Sequence, residues 1–189
     1  MRLTQIQAET GDLLLDPNNP RYFDLRDHEE VDYRRYAEEQ VQLEAIAKLG
    51  ATARVEDIRR SILSNGLIKF EFIVVKNYEH AEGKFVVIEG NRRLAAIQGI
   101  VQDFRLGVLD EKHHATAGEL VSIDVLTFEG TDDEEHVIRG IRHVAGPREW
   151  RPYQQARLVA RLREGENEFE DIQNRLGLGP TQVRRLYFT

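Results

Sequence analysis

The chain has 189 residues, 33 acidic against 26 basic, a formal net charge of -7, and no cysteine. That length suits one domain with a small appended helical unit, and it buries roughly 70 % of the unfolded surface without a metal or disulfide staple. The absence of cysteine excludes a disulfide framework, a Cys-zinc site and a thiol nucleophile; no run of even ten apolar residues points to a membrane span or signal peptide, so a soluble cytoplasmic protein without membrane insertion is expected.

The pattern predicts a mixed α/β part over residues 1–130 and an all-helical segment over 131–189. Leu13-Leu14-Leu15 reads as a strand stopped by the turn Asp16-Pro17-Asn18-Asn19-Pro20. From about Glu29 to Leu49 the chain reads as a polar helix with a thin apolar stripe (Val41, Ala45, Leu49), with Gly50 as its C-cap. A second helix is expected over Val55 to Ser64, ended by Asn65-Gly66. Two strands follow, Phe72 to Val75 and Lys84 to Ile88, joined by a polar turn near Gly83. A helix then starts at Gly90-Asn91-Arg92-Arg93, with Leu94, Ile97 and Val101 at helical spacing. Residues 105–119 read as loop and Val121 to Phe128 as a strand. The acidic stretch Glu129 to Glu135 leads into a helix ending near Gly146-Pro147. Further helices are expected over Pro152 to Arg163, Glu168 to Leu176 and Pro180 to Tyr187.

Charge is unevenly spread along this order. From Ile138 to the end there are ten arginines, no lysine and six acids, so +4 follows a body of -11. A basic segment on an acidic body suggests an anionic partner engaged at one end.

Three stretches can carry chemistry. In Glu89-Gly90-Asn91-Arg92-Arg93 a strand hands directly to a helix, with Asn91 expected as the N-cap. Amides and dipole at such a helix start form an anion site, and arginine donates to phosphate bidentately. Adjacent helical residues point about 100° apart, so the two arginines divide their roles. Arg92 is expected to meet phosphate, and Arg93, nearer the core, to be held by a buried carboxylate. Glu89 can hold a metal ion or position a water. An ordinary strand-to-helix turn with solvated arginines explains the same residues. The second stretch places Glu135, Arg139, Arg142 and His143 along one helical face, to meet a triphosphate or DNA, or to form an exposed ion-pair ladder. The third, Glu168 to Tyr187, fits a helix-turn-helix with Arg184 and Arg185 on its second helix, or a plain helical hairpin packed on the body. Adjacent His113 and His114 diverge on any regular element and make a weak metal site.

Three motifs in order resemble the N-terminal domain of the ParB/sulfiredoxin superfamily: Leu13-Leu-Leu-Asp-Pro-Asn-Asn-Pro-Arg21; Ile58-Arg-Arg-Ser-Ile62 with Asn65-Gly66-Leu67-Ile68; and Ile88-Glu-Gly-Asn-Arg-Arg-Leu-Ala-Ala96. Ile141-Arg-His-Val, with Trp150-Arg-Pro152 and Ala156, is similar to the family's second nucleotide-contacting helix. The resemblance spans residues 12 to 160. It implies a mixed-sheet domain and a nucleotide site of Gly90, Asn91, Arg92 and Arg93, approached by Arg139, Arg142 and His143, with the Asn19 and Arg21 turn beside it. It implies ATP or CTP with Mg²⁺ as ligands, with Glu89 (also the metal ligand) and Arg92 as the catalytic pair of a nucleotide hydrolase, probable DNase activity being a further implication of the family. Non-specific DNA contact is assigned to Arg151, Arg157, Arg161, Arg184 and Arg185. The sulfiredoxin branch is excluded, because Asn91 stands where its cysteine lies. The centromere-binding branch carries Gly-Glu-Arg-Arg, a complete helix-turn-helix domain and a dimerisation tail. Length and architecture resemble a plasmid-encoded fertility-inhibition member, which implies inhibition of conjugative DNA transfer and partners in a conjugative or type IV secretion apparatus. The alternative is a non-catalytic, nucleotide-gated DNA-binding adaptor.

Overall fold

The computed structural model describes residues 1–19, 29–52, 55–68, 72–135, 137–138, 156, 159–160, 162–164, 168–176 and 178–188. Five strands form one mixed sheet in the order β1-β5-β3-β4-β2. They are β1 (Arg2–Glu9), β2 (Leu13–Leu14), β3 (Ile73–Asn77), β4 (Phe85–Glu89) and β5 (Ser122–Glu129). β1 runs antiparallel to β5 and β3 antiparallel to β4, whereas β2 and β4, like β3 and β5, are parallel. The expected mixed α/β fold with a helical C-terminal portion is therefore observed.

The principal core lies where one sheet face (Ile73, Val75, Val87, Ile123, Val125) meets α2 (Val55–Asn65) and α3 (Asn91–Arg105). α3 is the central helix. Its Leu94, Ile97 and Ile100 are fully buried, each worth about 1.5–3 kcal/mol of transfer free energy. An ion pair of Arg59 with Asp103 ties α2 to α3. The opposite sheet face carries Val74, Ile88 and Phe128, covered in part by Ile138 from the helical residues 132–135 and 137–138.

Several boundaries depart from expectation. β1 was not expected, because it is an edge strand whose residues are nearly all exposed and show no apolar alternation. The first helix is shorter: α1 spans Glu39–Thr52, and the preceding residues form only a 3-10 turn at Tyr33–Arg35. That turn is held by Asp32, whose carboxylate accepts from Arg34 N–H at 2.9 Å. Gly50 lies inside α1 and does not cap it. Residues 105–119 are not all loop, since they contain a 3-10 turn and α4 (His114–Glu119), packed through Ala117 and Leu120. At the C-terminal end α5 (Phe169–Leu176) and α6 (Pro180–Tyr187) form a hairpin around Val159, Ile172, Val183 and Leu186. α5 also packs against α2.

Candidate functional site

β2 and β4 are parallel neighbours, and both deliver their carboxyl ends to the edge of the sheet where α3 begins. Ligands of open α/β sheets gather outside such strand ends. Val86 to Ile88 hold β4 in the core, and the chain must then reverse into α3 within one residue. Gly90 does this at φ +104°, a left-handed conformation that a side chain resists. It also lies close against β3, for a Cβ there would sit 3.1 Å from Ile73 Cγ1.

Gly90 is thus the N-cap, and Asn91 is the first helical residue, not the expected cap. No side-chain cap bond is made at this helix start. The first intrahelical bond runs from Leu94 N–H to Gly90 O at 2.9 Å, so the amides of Asn91, Arg92 and Arg93 precede the ladder. Asn91 is only 4 % exposed. Its Oδ1 accepts from Asp16 N–H at 2.8 Å, fixing the Asp16-Pro17 turn after β2 onto the start of α3. That bond also sets the amide's orientation, because only the oxygen can accept. Nδ2 is then buried with no hydrogen-bond partner among the described residues. An unpaired buried amide costs about 1–3 kcal/mol, so its retention calls for a ligand acceptor or another use.

Arg92 and Arg93 are both half-buried. Arg93 lines a cavity of about 460 Å³ beside the helix start, together with Glu119 and Asp124. Of these two carboxylates Glu119 is exposed and Asp124 half-buried, so neither is the buried partner expected for Arg93. Phe72, Leu67 and Ile68 form an apolar wall of the same cavity, and Gln7 and Ser122 add polar groups. Gln7, Glu119 and Asp124 were missed in the sequence. The available signal was Ser122 and Asp124 at alternate positions of β5, with apolar Ile123 and Val125 between and after them. Glu89 ends β4, half-buried, in register with Val74.

Asn19 lies in the turn after β2, its N–H donating to Asp16 O at 3.3 Å, so it is near the helix start through Asp16 and Asn91. Glu135 does not form an exposed ladder. It is buried and accepts from Lys76 Nζ at 2.8 Å, pinning the helical residues 132–135 to β3. Lys76 also lies over the Tyr33 ring, and burial, helped by the negative charge of Glu79 and Glu135, pushes the Tyr33 hydroxyl up to about 12. His114 Nε2 lies 2.9 Å from Leu109 O, which makes it a donor and spends it structurally; His113 lines a separate cleft. Arg184 and Arg185 are exposed on α6, beside α2. Arg21, Arg139, Arg142, His143, Arg151, Arg157 and Arg161 lie outside the described residues. Among the described residues no helix is long and apolar enough to cross a membrane.

No family model and no curated protein matches the sequence. Solved structures do. The C-terminally truncated chromosome-partitioning protein ParB from Caulobacter crescentus, complexed with CTP-gamma-S, is similar at a TM-score of 0.60 and 18 % identity, over 97 % of this chain and 76 % of that one. The same protein complexed to the centromeric parS site gives a TM-score of 0.39 at 18 % identity, over 96 % and 69 %. At this identity the first likeness shows a ParB-like fold.

Proposed function

We propose that this chain is a nucleotide-gated DNA-binding module of ParB type, with the triphosphate on the first turn of α3 and the base in the adjoining cavity. The observation that carries this is Asn91: its Oδ1 is spent on Asp16, and its buried Nδ2 has no hydrogen-bond partner among the described residues, at a helix start whose N-cap is a glycine. Amides ahead of the helical ladder, at the positive end of a fifteen-residue helix, favour phosphate. The similar Caulobacter protein was crystallised with a CTP analogue, which supports a nucleoside triphosphate as the ligand class. Asp124 and Glu119 are acceptors, so the cavity suits a base bearing an amino group, as cytosine and adenine do. Mg²⁺ typically takes one or two carboxylates plus phosphate oxygens, and Glu89 at the end of β4 fits that donor set. Arg139, Arg142 and His143 are the further phosphate contacts of this reading. Arg184 and Arg185, with Arg151, Arg157 and Arg161, supply the DNA contact.

A second reading makes the chain a hydrolase of ATP or CTP with DNase activity; Glu89 favours it. Inhibition of conjugative transfer, with partners in a secretion apparatus, rests on length and architecture.

The test is calorimetry with CTP, ATP, GTP and UTP in Mg²⁺, alongside phosphate release with and without DNA. At least one triphosphate should bind, and Arg92→Ala should weaken it about tenfold or more with the fold intact, since a charged contact is worth about 1.5–3 kcal/mol. Binding of none refutes the proposal. Binding with phosphate release promotes the hydrolase reading, and binding without release supports the gate.

A further inference from the structure

The α5–α6 hairpin carries aromatic rings that the fold leaves at the surface. Phe188 is 77 % exposed and Tyr187 38 %. Their ring centroids are 5.1 Å apart, and Tyr187 meets Phe169 edge-on at 5.2 Å. The Arg163 guanidinium lies 5.1 Å over the Phe169 ring. Phe169 also lines a cleft of about 490 Å³ between α2 and the hairpin, whose wall includes Arg60, His113, Arg184 and the amides of Gln173 and Asn174. An amide-lined cleft that carries two arginines therefore shares Phe169 with an aromatic cluster. The countercharges are local: Asp57 holds Arg60 at 2.5 Å, Glu168 holds Arg163 at 3.1 Å, and Glu170 stands on the cleft wall. Arg184, exposed one turn before Phe188, has no acidic partner among the described residues.

We propose that this cleft and its rings bind single-stranded nucleic acid. The inference rests on the DNA-contacting part of the proposed function and adds the state of the strand; it is independent of the nucleotide site. A duplex offers phosphates but keeps its base faces stacked on one another, so exposed rings gain little from it. A single strand offers both, and positively charged grooves ending in aromatic platforms are the recurrent solution for such ligands. The backbone runs past Arg60, His113 and Arg184, and an unstacked base lies on Phe188 or Tyr187.

The experiment is anisotropy of the full chain with a labelled oligothymidylate of about 16 nucleotides, a length suited to such sites, and with a duplex of unrelated sequence, across a salt series. The oligothymidylate should bind the more tightly. Phe188→Ala should weaken it at least about fivefold, because stacking contributes that much or more per base, and Phe188→Trp should retain it; duplex affinity and calorimetric nucleotide binding should not change. Arg184→Ala should reduce the salt slope by about one phosphate. Phe188 is surface-exposed, so its loss leaves the fold intact. Tighter binding to duplex, an unchanged Phe188→Ala affinity, or sedimentation showing that Phe188→Ala dissolves a dimer overturns the inference and leaves the DNA-contact proposal standing. Failure to bind DNA in any form overturns both.

Discussion

A series of three glycines separates the physical demands at the start of α3. Gly90 needs both a positive φ and close approach: at +104° an alanine Cβ would meet Ile73 at 3.1 Å (Cγ1) and 3.3 Å (Cα). The left-handed conformation costs about 1–2 kcal/mol. Crowding against the backbone of a central strand adds about 1–3 kcal/mol, because β3 is paired on both sides and cannot recede cheaply. Gly66 has φ +73° but nothing within 4 Å of its Cβ position, so Gly66→Ala incurs only the first cost. Gly50 lies within α1, also with nothing within 4 Å, and Gly50→Ala should gain about 0.5–1 kcal/mol. At about 2–4 °C per kcal/mol for a chain of this size, Gly90→Ala should lower the melting midpoint by roughly 4–20 °C. Gly66→Ala should lower it by roughly 2–8 °C, and Gly50→Ala should raise it slightly. Thermal unfolding followed by far-UV circular dichroism reads all three. A Gly90→Ala midpoint equal to or above that of Gly66→Ala would refute the close approach and, with it, the rigid geometry ascribed to the helix start.

Arg93→Ala removes the one cation among the described residues lining the cavity that Glu119 and Asp124 also line, and should lower the melting midpoint as well as nucleotide affinity; a loss of affinity alone would make Arg93 purely a ligand contact. Lys76→Met strands the buried Glu135 carboxylate, at about 1–3 kcal/mol, and chemical denaturation should show Glu135→Gln in the same chain recovering part of that. The Tyr33 hydroxyl is held up to about 12 against an ordinary value of 10, chiefly by burial, so its contribution to stability is whole below pH 10 and is lost as pH rises towards 12. Absorbance titration should show one late tyrosinate transition that Tyr33→Phe removes, and an unchanged alkaline titration in that variant would refute the assignment.

Local signals made much of the fold legible. The apolar runs at Val86 to Ile88 and Leu94 to Val101 were read with their proper periods because both are buried deeply enough to be written in side-chain pattern. Asn65-Gly66 ended α2 as read, with Gly66 in the left-handed region. What escaped was written elsewhere. β1 is held by its eight-residue register with β5, and its own exposed residues give no apolar pattern. α4 is a six-residue helix kept by burial of Ala117 beneath Leu120, too short to show periodicity. The sequence places Glu135 on a face with Arg139, Arg142 and His143, because Lys76, 59 positions away, is brought to it only by the path of the chain across the sheet.

The site shows the same division, and its one reversal strengthens the chemistry. Gly90 and the two arginines were legible because a strand, a glycine and a helix succeed one another in sequence. Asn91 was read as the cap because asparagine before an apolar helix usually accepts from its own first turn. Here that oxygen accepts instead from Asp16, 75 positions earlier, a partner that the parallel pairing of β2 with β4 supplies. The difference matters to a ligand. A side-chain cap would occupy the amides that a phosphate needs, so a capped helix start would bind anions only by breaking a bond worth about 1 kcal/mol. Gly90 has no side chain to compete, and Asn91 turns its acceptor away while keeping a buried donor. The helix start is thus held by a tertiary contact from Asn91 to the turn after β2, and the residue at its capping position has no side chain to compete with an anion.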